Sequence, residues 1–232
     1  MKKVLLFIFA AFLIAQKSSA QYCTPGFSSP GSACFSYAID ISNFTIVGEL
    51  GTSITDNTGC GGSGWEDNSS FQSVTLYPGN TYTVSVTTGF SGNVDNAQLW
   101  IDFNNDLIFQ SSETVGGVNA IGGSSSTATF VVTIPAGAAI GTTKMRLLLD
   151  YNDGSGIYPG MDPCASGYSY GDAHDYTAVI AIPPPAVITA PTSLAFGGVT
   201  TGTSSFPQTF TVTGSSLVPT AGTFTVTAPA NF

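Results

Sequence analysis

Oxygen-bearing side chains recur at a fixed spacing in one segment near the middle of the chain. Asp102 stands at the first place of the pattern, and Asn104, Asp106 and Glu113 follow at the third, fifth and twelfth places. Calcium binds through about six to eight oxygen atoms, and loops with this spacing also use the backbone carbonyl of the seventh residue, here Ile108. The spacing therefore predicts a calcium site formed by these five residues.

The surroundings of this loop suggest an alternative. The letters LWIDF before it are typical of a strand, so the loop does not join two helices as an EF-hand does. The sixth place normally holds glycine, because the backbone there turns with a positive φ, but this chain has Leu107. A leucine held in that conformation costs about 1–2 kcal/mol. The alternative is an acidic turn capped by its own Asp and Asn side chains.

A second polar segment, residues 167–180, reads GYSYGDAHDYTAVI and runs directly into an apolar strand. We expect Asp175 to accept hydrogen bonds from backbone or hydroxyl groups at the start of that strand, and Tyr176 to pack inward. His174 is the only histidine of the chain. A triad of serine, histidine and acid would have to use it, and we expect His174 to have no catalytic role.

The two segments together, in this order and about 70 residues apart, resemble the GEVED domain. That family is a β-sandwich module of secreted and surface proteins, chiefly from Bacteroidetes. Its five naming letters fall on residues 171–175, where Gly171 and Asp175 are kept and the two glutamates become Asp172 and His174. The family also tends to place aspartate where this chain has Ile108.

The beginning of the chain is typical of a secretory signal peptide. Lys2 and Lys3 precede twelve apolar residues, and small residues follow, so residues 1–20 are expected to be removed. Twelve apolar residues are too few to cross a membrane, which needs about 20. Once they are removed, fourteen acidic residues face only Lys144 and Arg146, a formal charge of −12. Such a surface disfavours nucleic acid and anionic lipid as partners, and it suits cations.

Four cysteines follow the signal peptide, an even number in an oxidising compartment, and disulfides are therefore expected. Spacing alone leaves all three pairings open. The GEVED resemblance favours Cys23 with Cys164, which leaves Cys34 with Cys60. A metal–thiolate site is the alternative, but the close CxxC pairs and histidines that zinc sites favour are lacking.

The rest of the chain consists of short β-prone runs separated by turn residues. We expect an all-β fold over residues 21–182, an antiparallel β-sandwich of the jelly-roll or immunoglobulin-like kind with seven to nine strands. Three prolines then indicate a linker over residues 183–186. Residues 187–232 are similar to the opening of an immunoglobulin-like repeat of bacterial surface proteins. They are long enough for only part of a second β-sandwich domain. Six runs are predicted as strands: 71–77, 81–86, 97–103, 127–134, 144–151 and 175–182.

One aromatic residue is a candidate ligand contact. Trp65 lies in a predicted loop rich in glycine and serine, where an exposed indole can stack on a sugar ring, or can instead anchor the loop on the core. With no catalytic arrangement identified, we expect a secreted or cell-surface module that is not an enzyme, binds an extracellular carbohydrate or protein, and is stabilised by calcium. The alternative is an accessory domain of a secreted protease or polysaccharide-degrading hydrolase, for which the reading frame beyond Phe232 is the discriminating observation.

Overall fold

The computed structural model describes residues 21–29, 36–90, 92–122, 125–154, 156–190 and 194–216. The expected signal peptide, residues 1–20, lies outside the described residues, and so does Cys34. The described part of the chain contains twelve strands, namely β1 (Ile41–Val47), β2 (Ser53–Asp56), β3 (Trp65–Asp67), β4 (Ser73–Leu76), β5 (Thr81–Thr88), β6 (Asp95–Ile101), β7 (Thr114–Ile121), β8 (Thr127–Thr133), β9 (Gly141–Tyr151), β10 (Gly171–Ile180), β11 (Ala186–Ala190) and β12 (Thr211–Ser215).

The first ten strands form the two sheets of a β-sandwich, as the sequence predicted. One sheet has the order β2-β1-β5-β8 and is antiparallel throughout. The other has the order β3-β10-β9-β6-β7, with β4 also pairing with β10. The short strands β3 and β4 run parallel to β10, so one edge of this larger sheet is mixed. The strand number exceeds the expected seven to nine by one.

Four strands of the sandwich, β1, β2, β3 and β7, were not among the predicted runs. β2 and β3 have only four and three residues, too few to establish an alternating pattern. β7 contains two consecutive glycines and an asparagine, which are uncommon inside strands. Pairing with long neighbours compensates for these weak local preferences, because β7 lies beside β6 and β3 lies beside β10.

The main core lies between the two sheets. Along β5, Tyr82, Val84 and Val86 are buried, while the intervening Thr81 and Thr83 are exposed. Alternate residues of a strand point to opposite faces, so one face of the smaller sheet is apolar. It packs on the inward residues of β6, β9 and β10, which include Leu99, Ile101, Met145, Leu147, Leu149, Ala178 and Ile180.

A second core covers the outer face of the larger sheet, and it explains why β6 and β9 are buried on both faces. Its buried residues are Phe27, Trp100, Phe109, Leu148, Met161, Ala165, Tyr168 and Ala173. The N-terminal segment, residues 21–29, is one of its covers, and it follows the 164–169 loop through backbone bonds such as Gly26 N to Cys164 O at 3.0 Å. Because this outer face is also buried, the side chains on it can have a structural or a functional role.

The Cys23–Cys164 disulfide that the resemblance implied is present, with Cα atoms 5.6 Å apart. It ties the N-terminal segment to the loop that precedes β10. Cys34 lies outside the described residues, so its pairing with Cys60 stays a prediction. None of the described cysteines is a free thiol.

Gly171 shows why the first letter of the signature is glycine. A Cβ atom at this position would lie 2.2 Å from the Phe27 ring and 2.4 Å from the carbonyl oxygen of Leu149. Neither neighbour can give way easily, since Phe27 is in the outer core and Leu149 O belongs to the paired strand β9. The N-terminal segment therefore reaches the sheet at this point only because the side chain is absent.

Beyond the prolines, β11 and β12 form an antiparallel pair, and β11 already begins at Ala186, inside the segment predicted as a linker. The predicted partial second sandwich depends largely on residues 217–232, which lie outside the described residues. In the described part of the chain, no helix has the length and apolar character needed to cross a membrane.

Candidate functional site

The five letters of the signature are the first five residues of β10, which begins at Gly171, four residues earlier than predicted, so Asp175 lies inside the strand and not at its start. Asp172, His174 and Tyr176 point between the sheets, whereas Asp175 points to the outer face, as alternation requires. Tyr176 packs inward as expected and stacks on Phe44, with ring centroids 4.7 Å apart. The polar letters of the signature therefore serve two separate networks.

The outer network is centred on Asp175, which is fully buried. The Arg146 guanidinium binds both of its carboxylate oxygens, with Nε to Oδ1 at 2.6 Å and Nη2 to Oδ2 at 2.7 Å. Lys144 Nζ lies 3.4 Å from Asp175 Oδ2 and 2.7 Å from Asp67 Oδ2. The expectation that Asp175 accepts hydrogen bonds from backbone or hydroxyl groups was wrong, because a buried carboxylate requires a cation and both basic residues that follow residue 20 face it.

Arg146 also connects Asp175 to the covers of the outer face. Its Nη1 donates to the carbonyl oxygens of Cys23 and Pro163, both at 2.9 Å. The guanidinium carbon lies 4.9 Å from the centroid of the Phe109 ring, a distance at which cation and ring attract. One side chain thus contacts the N-terminal segment, the disulfide loop and the end of the predicted calcium loop.

Tyr22 brings the predicted calcium loop and β9 together. Its hydroxyl donates to Asp102 Oδ2 at 2.6 Å, its ring lies 5.0 Å from that of Phe109, and Lys144 Nζ lies 5.5 Å from its centre. Burial, and then the hydrogen bond to Asp102, raise the pKa of the Tyr22 hydroxyl to about 12. The phenol is therefore a donor at any physiological pH.

The first half of the loop is held by its own side chains. Asp102 Oδ2 accepts the Leu107 N–H at 3.0 Å, and Asn104 Oδ1 accepts the Asp106 N–H at 2.9 Å. Asp106 Oδ1 in turn accepts the N–H of Ile108 at 2.9 Å. The last two bonds each join a side chain to the N–H two residues on and so form successive Asx turns, which is the geometry of the self-capped acidic turn.

Glu113 closes the loop from its twelfth place. Its Oε1 accepts the Phe103 N–H at 2.9 Å and its Oε2 accepts the Gln110 N–H at 2.9 Å, so the carboxylate spans the loop. Leu107 adopts the positive φ of the sixth place, +71°. Within the described ranges, however, no three His, Cys, Asp or Glu side chains gather where a metal ion could be held. As folded, the carboxylates of Asp102, Asp106 and Glu113 accept N–H groups of the loop.

The inner network is centred on His174, which is fully buried. Its Nδ1 lies 2.9 Å from Asp56 Oδ2, and its Nε2 lies 3.1 Å from Asp172 Oδ2. The second contact has the distance of an ion pair but not the direction of a hydrogen bond, so its attraction is electrostatic. Burial alone would lower the pKa of His174, but the carboxylates of Asp172 and Asp56 outweigh it and raise the pKa to about 10.

Residues 167–171 read GYSYG and so match the G-x-S-x-G pattern of serine hydrolases. That motif requires a serine on a turn from a strand into a helix. Ser169 instead precedes the strand β10, and its Oγ lies 3.4 Å from the hydroxyl of Ser28. His174 is engaged between two carboxylates, so neither residue is arranged for nucleophilic catalysis.

Trp65 was predicted to lie in a loop, but it lies in the strand β3. It is half-buried against the outer core, and its indole Nε1 is buried without a hydrogen-bond partner. Together with Tyr22, Lys144 and Asp175, it lines a cavity of about 90 Å³. The structure thus supports both alternatives in part, because the ring anchors the segment and still borders a cavity.

A larger groove of about 220 Å³ lies next to this cavity and shares Tyr22 and Lys144 with it. Sequence reasoning missed the groove, because its hydroxyl groups come from three separate segments that carry no common motif. Its lining residues are Tyr22, Ser69, Asn105, Leu107, Thr142, Thr143, Lys144 and Thr177.

The charged state of His174 is testable by pH. A folded-state pKa of about 10, against about 6.5 in the unfolded chain, means that its stabilisation is complete below about pH 6.5 and is lost as the pH rises toward 10. We expect the melting temperature to fall across that range. Because the chain has a single histidine, its imidazole NMR signal should show no titration below about pH 8. A midpoint near 6.5 would contradict the buried ion triad.

Comparison with known protein families gives a match over part of the chain. Residues 96–179 match the family model of the GEVED domain, from the second residue of β6 to the penultimate residue of β10. The matched region contains both the 102–113 loop and the signature, and it is shorter than the expected span of 21–182. No curated protein shows a significant match to the chain. The segment that carries Asp102, Arg146 and Asp175 is thus the part that matches the GEVED domain.

Proposed function

We propose that this chain is a non-catalytic binding module that acts outside the cell, and that the 220 Å³ groove on the outer face of the larger sheet binds a neutral carbohydrate. The observation that carries the proposal is the composition of the groove. It combines a tyrosine ring with the hydroxyls of Ser69, Thr142, Thr143 and Thr177 and the amide of Asn105. Sugars are recognised by such a combination of a ring surface and polar groups.

The charges around the groove favour a neutral ligand. Lys144 is the one cation that lines it, and Asp67 and Asp175 lie within 4 Å of its ammonium group. The formal charge of −12 expected after signal removal disfavours an anionic polymer. A neutral sugar needs no charged partner and can form hydrogen bonds with the hydroxyl groups.

The carboxylates near the groove support binding and not hydrolysis. Glycosidases need two carboxyl groups free to act on a sugar as acid, base or nucleophile. Here Asp175 binds Arg146, Asp67 binds Lys144, and Asp102 accepts backbone N–H groups and the Tyr22 hydroxyl. Each is held in place by a structural partner.

The Cys23–Cys164 disulfide fits an oxidising, extracellular environment. Secretion through the signal peptide and attachment at a cell surface are the finer part of the proposal. An accessory role beside a secreted hydrolase would use the same groove to hold the substrate of the neighbouring domain.

The groove is tested by blocking it at Thr142, an exposed residue on its wall. Thr142→Arg places a long side chain across the groove, whereas Thr83→Arg makes the same change on an exposed position of β5 in the other sheet. On an array of neutral and acidic polysaccharides, we expect the mature chain to bind neutral members and release no sugar. Thr142→Arg should weaken that binding about tenfold or more.

The matched Thr83→Arg variant should bind as the wild type does. If both variants bind the polysaccharide equally well, the groove is not the carbohydrate-binding site. Release of reducing sugar by the mature chain would contradict its non-catalytic character.

Calcium is proposed only as a weak stabiliser of the 102–113 loop. Leu107 and Ile108 depart from the usual pattern of calcium loops, so we expect an affinity in the roughly 10⁻⁴–10⁻³ M range of extracellular modules. Calcium at about a hundred times Kd would add about 2.7 kcal/mol, seen as a higher melting temperature. Asp106→Ala should abolish this shift, and Asp153→Ala, outside the loop, should keep it. Equal melting temperatures in calcium and in chelator would leave only the acidic turn.

A further inference from the structure

Three tyrosines line a cavity of about 200 Å³ at one end of the inter-sheet core. Tyr37, Tyr151 and Tyr170 form its walls, with Ile39 and Asn93 between them. Tyr170 stands edge-on to both other rings, at 72° and 5.3 Å from Tyr37 and at 81° and 6.5 Å from Tyr151. The rings are therefore near-perpendicular walls of a box and do not stack on one another.

A buried carboxylate without a partner lies beside this box. Asp95 is fully buried, and neither of its carboxylate oxygens has a hydrogen-bond partner. It is directly opposite Tyr151 in the pairing of β6 with β9, and directly paired residues point to the same face of a sheet. Burial, and then the charge of Asp40, raise the pKa of Asp95 to about 7. A carboxylate in this position lacks the cation that Asp175 has in Arg146.

We propose that the tyrosine box binds a small quaternary ammonium cation of about the size of choline. The faces of aromatic rings attract cations, and boxes of aromatic rings suit methylated ammonium groups because they provide attraction without hydrogen bonds. The carboxylate of Asp95 adds attraction of the same sign, whereas the charge of Asp40 is partly offset by the His174 imidazolium. Both basic residues of the mature chain face Asp175 on the outer face of the sheet, so neither opposes a cation here.

Other ligand classes fit this cavity less well. A primary ammonium carries three N–H donors that need acceptors, whereas Asn93, the one amide in the lining, donates its Nδ2 to the carbonyl oxygen of Tyr37 at 3.4 Å. A sugar would need several polar partners, and an anion would be repelled by Asp95. The box and the outer-face groove have no lining residue in common, so this inference adds a second ligand to the proposed binding module and does not depend on the carbohydrate.

The test uses the mature chain, titrated by calorimetry and ligand-observed NMR with choline and with 3,3-dimethylbutan-1-ol, its neutral isostere. We expect choline to bind with a Kd on the order of 1 mM or tighter, and the isostere to bind at least about fivefold more weakly. N-acetyl-lysine methylamide and methyl glucoside are included as a primary ammonium and a neutral sugar. Tighter binding of any of these three than of choline would overturn the proposal.

Two variants locate the binding site. Tyr37 is 48% exposed, so Tyr37→Ala should fold normally and weaken choline binding about fivefold or more, while Tyr37→Phe keeps the ring face and should retain it. Phe71→Ala removes an exposed ring elsewhere on the domain and should change nothing. Unchanged binding in Tyr37→Ala, or no choline binding by the wild type, would show that the box is not a cation site, whatever the groove binds.

Discussion

The buried ion pair between Asp175 and Arg146 is the interaction on which the rest of the larger sheet depends. The two residues are direct cross-strand partners in the pairing of β10 with β9, and both are fully buried. Removing two charges from water costs several kcal/mol for each ion, which is offset only by good geometry and further hydrogen bonds. The bidentate contact and the carbonyl oxygens of Cys23 and Pro163 provide both. A shift of one residue between the strands would point Asp175 into the apolar core, so the pair also specifies the register.

Scarcity of basic residues shapes the other polar contacts. With fourteen acidic residues and only two basic ones after residue 20, most carboxylates must use partners that are not lysine or arginine. Asp102 and Glu113 use backbone N–H groups, and Asp56 and Asp172 share the imidazole of His174. Burial would raise the pKa of Asp56, but hydrogen bonds from His174, Thr58 and Tyr176 hold it well below its usual range. The one histidine thus acts as the internal cation of the inter-sheet core.

Much of the fold could be predicted from the sequence, because the β-prone residues of β5, β8 and β9 are enough to identify each of them as a strand. The sequence also indicated that the 102–113 loop and the signature belong to one module. It did not indicate that Arg146 joins them, because this contact depends on which residues of two distant strands lie opposite each other. The outer-face groove and the tyrosine box were not predictable for the same reason. Their side chains come together only through tertiary packing, so they form no recognisable motif in the sequence.

Arg146 holds the N-terminal segment, the disulfide loop and the 102–113 loop on the outer face, and the other contacts of that face depend on it. Amide hydrogen exchange of Arg146→Met, compared with Lys144→Met at the partly exposed rim, tests it most directly. Losing one partner of a buried pair typically costs about 3–5 kcal/mol, and an exposed pair about 0–1. Arg146→Met should accelerate exchange at residues 21–29, 102–113 and 161–168 and leave β1 and β5 protected, with little change in Lys144→Met. Equal acceleration across both sheets, or none at these three segments, would contradict the account.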